Sequence, residues 1–260
     1  MIQIRKETDE RQEAGPMECW CLHGSVGLAS DWRTFGKSLA GNGFSSRAVD
    51  LWRFLACESL PLGAFGAVLN AEVGGQVFRG NGRVLIGYSM GGRLALHSLL
   101  EKNHPWQAAV IISAHPGLED AAQRAERRTK DAEWAARALT LPWQEFLTAW
   151  EAQPVLANAN VRDAAAAARL QQQRREIARS FVDWSLGAQQ PLLARLASID
   201  VPVLWLAGEN DPVACDLGKQ AVAKLPKGVL EIAPAAGHRL PWQVPEWFAQ
   251  RVCHFLHLGA

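Results

Sequence analysis

Val84-Leu85-Ile86-Gly87-Tyr88-Ser89-Met90-Gly91-Gly92-Arg93-Leu94-Ala95-Leu96 is the stretch that decides the fold. A short apolar run of the kind that makes a buried strand gives way, through one serine among glycines, to a helical pattern. A serine on so sharp a strand-to-helix turn needs almost no side chain two positions before and after it, because strand and helix pass very close there. Gly87 and Gly91 meet that requirement.

Outward from this turn, short apolar runs alternate with helical patterns. Strands are expected over 17–22, 44–51, 83–88 and 108–113, and helices over 31–40 with Ser30 as cap, over 62–77 and over 91–100. The rhythm resumes with strands over 201–207 and 229–233 and helices over 219–225 and 245–256. Such alternation predicts an α/β class fold with a mainly parallel, doubly wound sheet. Between 117 and 190 no strand pattern occurs, only helical stretches interrupted at Pro142, Pro154 and Gly187, and the alanine run 164–168 reads as helix rather than linker. The expected organisation is one core, residues 1–116 and 191–260, carrying a helical cap insertion, residues 117–190. A length of 260 residues is at the upper edge of what a single core organises.

Composition narrows the partners. Lys+Arg 27 against Asp+Glu 26 leaves a charge of +1, so no global attraction to nucleic acid or to an anionic membrane is expected. Five scattered cysteines, Cys19, Cys21, Cys57, Cys215 and Cys253, show neither metal-ligand spacing nor a disulfide framework. The charged segment 1–12 lacks the apolar stretch of a secretory signal, and no run approaches the roughly 20 apolar residues that span a bilayer. These features point to a soluble protein of the reducing cytoplasm, with no membrane insertion and no metal.

A serine hydroxyl becomes reactive at neutral pH when a histidine accepts its proton and a carboxylate holds that histidine in one tautomer. Asp211 follows the strand Val203-Leu204-Trp205-Leu206, and His238 follows the next strand in Ala236-Gly237-His238. Glu209 and Asp216 are the competing carboxylates, while His97, His104, His254 and His257 read as solvated or structural.

This turn, with the chain order Ser89, Asp211, His238, resembles the α/β-hydrolase family. The resemblance implies an oxyanion hole built from the backbone N–H groups of Met90 and of Ser25, in the loop His23-Gly24-Ser25, with His23 holding that loop. Three stretches are more specific: Tyr88 to Arg93 around the serine, His115-Pro116-Gly117-Leu118 leading to Gln123-Arg124-Ala125-Glu126-Arg127, and Trp150 to Val155. Together they resemble the menaquinone-pathway synthases that make 2-succinyl-6-hydroxy-2,4-cyclohexadiene-1-carboxylate. That likeness implies a lyase that takes a ring proton and expels pyruvate from a small polycarboxylate, without metal or organic cofactor.

Three substrate carboxylates require fixed cations, and the insertion is rich in arginine: Arg124, Arg127, Arg128, Arg137, Arg162, Arg169, Arg174, Arg175 and Arg179 against Lys130. For most of them the expected role is a solvated helix face paired with Glu126, Asp131, Glu133 or Asp163. The resemblance assigns carboxylate binding to Arg93, Arg127 and Arg169, with Arg124 as an understudy. Arg93, four residues after Ser89, shares its helical face and leans back towards it. Tyr88 and Trp150 are expected to line the pocket, packing alone being the other role for Trp150. One departure stands out: the family continues its second strand with Asp-Leu-Pro-Gly-His-Gly, whereas Asp50-Leu51 is followed here by Trp52-Arg53-Phe54, with Arg53 read as an exposed loop charge. The same triad also suits a carboxylesterase working through an acyl-enzyme, or a non-catalytic receptor on the same fold.

Overall fold

The computed structural model describes residues 15–78, 80–156 and 163–259; the charged segment 1–12 and Arg162 lie outside the described residues. Strands β1 (Glu18–Leu22), β2 (Ser45–Val49), β3 (Arg83–Tyr88), β4 (Ala108–Ile112), β5 (Val203–Gly208) and β6 (Gly228–Ala233) form one parallel sheet in the order β2-β1-β3-β4-β5-β6. Helices α1 (Arg33–Gly41), α2 (Leu62–Gly74) and α3 (Met90–Leu99) connect the first four strands. Between β4 and β5 come α4 (Ala121–Thr140), α5 (Trp143–Glu151), α6 (Ala164–Gln172) and α7 (Arg174–Asp183). The chain closes with α8 (Pro212–Val222), α9 (Leu240–Gln243) and α10 (Pro245–Gly259).

Side chains of a strand alternate between the two faces of the sheet, so a sheet covered on both sides is apolar throughout. Strand β3 is buried along its whole length. Val84 and Ile86 pack with Phe35 of α1 and Phe248 of α10, whereas Leu85 packs with Phe65 of α2 and Leu94 of α3. Each such fully buried side chain contributes about 1.5–3 kcal/mol relative to exposure. The expected doubly wound α/β sheet is therefore present.

Element ends differ from the expectations where capping chemistry overrides the apolar pattern. Helix α8 begins at Pro212 rather than near 219, because Asp211 caps it by accepting from the Ala214 N–H at 3.0 Å. A 3-10 turn over Ala29–Trp32 precedes α1, which starts at Arg33, so Ser30 is not its cap. Helix α2 stops at Gly74.

The four helices after β4 leave and rejoin the sheet at one point. The Leu192 N–H donates to the Pro116 carbonyl at 2.7 Å, and Gly117, at φ 109°, has room for no side chain because a Cβ would stand 2.8 Å from the Gln190 carbonyl oxygen. Asp120 caps α4 through the Gln123 N–H at 2.7 Å, and α4 ends just before Pro142. Asp163 caps α6, which carries the alanine run, through the Ala166 N–H at 2.6 Å. Arginines bind this layer together: Arg174 donates to the carbonyls of Ala138 and Leu141, and Arg128 to that of Gly187 at 2.8 Å. Arg179 donates to the Leu55 carbonyl and Trp184 Nε1 to that of Leu60 at 2.9 Å, which moors α7 to the segment after β2.

Candidate active site

Ser89, Asp211 and His238 come from the carboxyl ends of β3, β5 and β6, where parallel α/β sheets place their ligands. Ser89 stands between β3 and α3 at φ 52° and ψ −112°, a conformation that is strained for a residue with a side chain and that aims its hydroxyl away from the sheet. The glycines around it are sterically required. A Cβ on Gly87 would lie 2.5 Å from the Gly91 carbonyl oxygen, one on Gly91 2.4 Å from that of Leu22, and one on Gly92 2.7 Å from the Ala114 side chain.

His238 Nε2 lies 3.0 Å from Ser89 Oγ, and its Nδ1 lies 2.7 Å from Asp211 Oδ2. The carboxylate contact places the ring proton on Nδ1 and leaves Nε2 to accept from the serine. Asp211 uses its other oxygen to cap α8, so a single carboxylate both starts a helix and orients the imidazole. Burial acts to raise the Asp211 pKa, but the hydrogen bonds from His238 and from the Ala214 N–H, with the charge of His238, outweigh it and hold the group below its ordinary value. The competing carboxylates are engaged elsewhere: Glu209 accepts from the Ala235 N–H at 2.9 Å, and Asp216 pairs with Lys219 at 2.9 Å. Gly208 lets the His238 loop approach β5, since a Cβ there would stand 2.3 Å from the Gly237 carbonyl oxygen.

The loop after β1 is held from behind. His23 is fully buried, with Nδ1 2.9 Å from the Gly24 carbonyl oxygen, and it accepts from the Leu51 N–H at 3.3 Å through Nε2. Trp52, the departure from the glycine loop of the family pattern, is also fully buried, with its ring centroid 4.9 Å from that of His23, and it donates to the Gly27 carbonyl at 2.8 Å. This indole supports the loop that carries Ser25 rather than forming a wall of the pocket. Arg53 pairs with Glu72 at 2.7 Å on the surface. Ser25 and Met90 border the same cavity as Ser89, and Met90, as the first residue of α3, has no carbonyl within its helix for its N–H.

That cavity has a volume of about 980 Å³. Ser89, His238, Tyr88, Arg93, Arg127 and Trp150 all line it. Tyr88 is buried against Trp242, with centroids 4.8 Å apart, and Gly24 makes room for its ring. Trp150 both lines the cavity and packs edge-on against Trp134 at 5.0 Å. Arg93 donates to Gln189 Oε1 at 3.0 Å and to the Trp184 carbonyl at 2.6 Å, both neutral acceptors. Burial, reinforced by Arg127 and opposed by Asp131, lowers its pKa to about 9. A desolvated guanidinium without a carboxylate gains from any anion that enters. Arg127 is tied to Asp131 at 2.9 Å, and Asp131 also accepts from the Ser185 hydroxyl at 2.7 Å. His115 adds no charge at neutral pH, because burial, then Arg93 and Arg127, pull its pKa down to about 4.

Two expected residues stand elsewhere. Arg169 is on the exposed side of α6 and does not line the cavity, and Arg124 turns back to donate to the carbonyls of Leu118 at 2.8 Å and Glu119 at 2.6 Å. Their positions correct the expectation that both face the site: α6 buries Leu170 instead, and loop carbonyls occupy the Arg124 guanidinium. Conversely, Arg239, Trp242 and Gln243 line the cavity without having been singled out in the sequence. Their signal was the segment after His238, where Gln243 Oε1 accepts from the Gly237 N–H at 2.7 Å.

Over residues 21–251 the chain matches the Alpha/beta hydrolase family. The chain belongs to that family. Among its relatives, a 2-succinyl-6-hydroxy-2,4-cyclohexadiene-1-carboxylate synthase of Serratia proteamaculans is 32% identical, over 93% of this chain and 93% of that protein. A protein of the same name from Pectobacterium atrosepticum is 31% identical, over 93% of this chain and 95% of its own length. The structure of MenH from S. aureus superposes with a TM-score of 0.80 at 21% identity, covering 94% of each chain, and shows the same α/β-hydrolase fold. Among the described residues no helix is long and apolar enough to cross a membrane.

Proposed function

We propose that this α/β hydrolase-family protein is a carbon–oxygen lyase of menaquinone biosynthesis. It releases pyruvate from 2-succinyl-5-enolpyruvyl-6-hydroxy-3-cyclohexene-1-carboxylate and leaves 2-succinyl-6-hydroxy-2,4-cyclohexadiene-1-carboxylate. The observation that carries this reading is Arg93: a buried cation with no carboxylate hydrogen-bonded to it among the described residues, in the same cavity as a serine already hydrogen-bonded to a histidine. A cavity for small neutral esters has no use for such a group. Relatives named as this synthase, similar along nearly the whole chain, support the same reading.

In this reading His238 accepts the Ser89 proton, and the serine oxygen removes the proton from the ring carbon beside the succinyl ketone. The electron pair enters the ring as the double bond shifts, the carbon–oxygen bond to the enolpyruvyl group breaks, and the proton on His238 passes to the leaving group, which becomes pyruvate. Ser89 is left with the proton taken from carbon. Asp211 steadies the imidazolium, and the N–H groups of Ser25 and Met90 hold the charge that gathers on the ketone oxygen. Arg93 and Arg127 bind carboxylates, and Tyr88 and Trp150 shape the pocket. Residues 117–190 act as the cap over a core of 1–116 and 191–260. A cytoplasmic setting accords with five cysteines that are all free.

Replacing Ser89 with alanine is expected to lower pyruvate release by about 10³-fold or more while substrate binding persists in calorimetry. Unchanged turnover in Ser89→Ala would remove the serine from the mechanism. A second reading, hydrolysis of an ester through an acyl-enzyme, draws on the apolar part of the cavity formed by Val155, Leu156, Val213 and Leu217.

A further inference from the structure

Arg239 directly follows the proposed proton acceptor, and its half-buried side chain lines the cavity that holds Ser89 and His238. Its position is fixed on both sides. The preceding residue is held by Asp211, and the Arg239 carbonyl accepts the N–H groups of Trp242 at 3.0 Å and Gln243 at 3.2 Å, which closes the turn of α9. The guanidinium carbon stands 5.6 Å from the centroid of the Trp242 ring, itself part of the cavity lining. Stacking on an aromatic face restrains a guanidinium while leaving its in-plane N–H fork available. Among the described residues no carboxylate pairs with Arg239: Glu209 serves the Ala235 N–H and Asp211 serves His238.

Among the described residues the cavity thus contains three arginines, Arg93, Arg127 and Arg239, supplied by α3, α4 and the segment after β6. Arg169 and Arg124 are not among them. We propose that Arg239 binds a substrate carboxylate, the role that family resemblance gives to Arg169, and thereby sets the preference of the site for a polyacid. This inference rests on the polycarboxylate-lyase reading above. Because the arginine adjoins His238, the carboxylate it holds is one near the reacting carbon.

The test is a pair of titrations with 2-succinyl-5-enolpyruvyl-6-hydroxy-3-cyclohexene-1-carboxylate. Calorimetry compares Ser89→Ala with Ser89→Ala/Arg239→Gln at two salt concentrations, and pyruvate release is measured in parallel for wild type, Arg239→Gln and Arg239→Lys. Arg239→Gln is expected to weaken binding about tenfold and to flatten its salt dependence, raising KM while kcat stays within about threefold. Arg239→Lys keeps the charge but loses the planar fork stacked on Trp242 and is expected to recover part of the affinity, which a packing role alone would not produce. Equal affinity and equal salt dependence in the two calorimetric variants, with pyruvate released normally, would overturn the role of Arg239 alone. No pyruvate release by the wild type would overturn the lyase reading, and the role of Arg239 with it.

Discussion

The sheet and the helical layer above it place their functional side chains by different means. In the sheet, Ser89 is where it is because Gly87, Gly91 and Gly92 admit no side chain against Gly91, Leu22 and Ala114. In the layer of α4 to α7, arginines fix the helices by donating to carbonyls, as Arg174 does to Ala138 and Leu141 and Arg128 does to Gly187. Steric necessity has a single solution, and spacing in the chain reveals it. An arginine with a long stem has several carbonyls and carboxylates within reach, and spacing does not say which it takes.

Substitutions break this contrast in graded ways. Asp211→Asn removes the group that holds the imidazole tautomer and is expected to reduce turnover about 10³-fold or more, measured as pyruvate release. It also carries a stability signature. The folded carboxyl titrates below its ordinary value of 3.8, so its contribution is present above about pH 4 and is lost as pH falls through the folded value. The gap in Tm between wild type and Asp211→Asn is therefore expected to narrow as pH is lowered below about 4. Gly91→Ala sets a Cβ 2.4 Å from the backbone oxygen of Leu22, which cannot yield, and is expected to cost about 3 kcal/mol in denaturant unfolding. Arg93→Met is expected to raise KM by about 10- to 100-fold, since a charge-assisted contact of ~1.5–3 kcal/mol is lost. Arg169→Ala and Arg124→Gln, outside the cavity lining, are expected to leave kcat/KM within about twofold. Large losses in that last pair would mean that the helical layer rearranges around the substrate.

Much of the fold was legible because a two-sided parallel sheet writes continuous apolar runs into the sequence, and β3 was delimited to the residue. Helix α8 was misplaced because its start is set by Asp211 and Pro212, a cap and a turn-former, rather than by apolar periodicity. That Ser89, Asp211 and His238 meet is legible for a related reason: each follows a strand, so topology brings the three together whatever the intervening loops do. The loop His23-Gly24-Ser25 is legible through the family resemblance, but its support by Trp52 is not, since a buried indole in place of a glycine loop looks in sequence like a loop residue. Gly187 read as a break between helices, yet it is a close contact, where a Cβ would stand 2.3 Å from the Arg124 carbonyl oxygen. The direction of Arg239 is not legible in the sequence, because one cation in an irregular segment has no periodicity to betray it.

The central claim is that a buried Arg93, with Arg127 and Arg239 in the same cavity as a serine–histidine pair, turns a hydrolase scaffold towards a polyacid and an elimination. The most direct measurement is the ratio of wild-type kcat/KM for pyruvate release from 2-succinyl-5-enolpyruvyl-6-hydroxy-3-cyclohexene-1-carboxylate to that for hydrolysis of a short neutral nitrophenyl ester. A ratio above about 10³ is expected from a site whose buried polar groups demand partners in the ligand. Faster cleavage of the neutral ester, with no pyruvate formed, would contradict it.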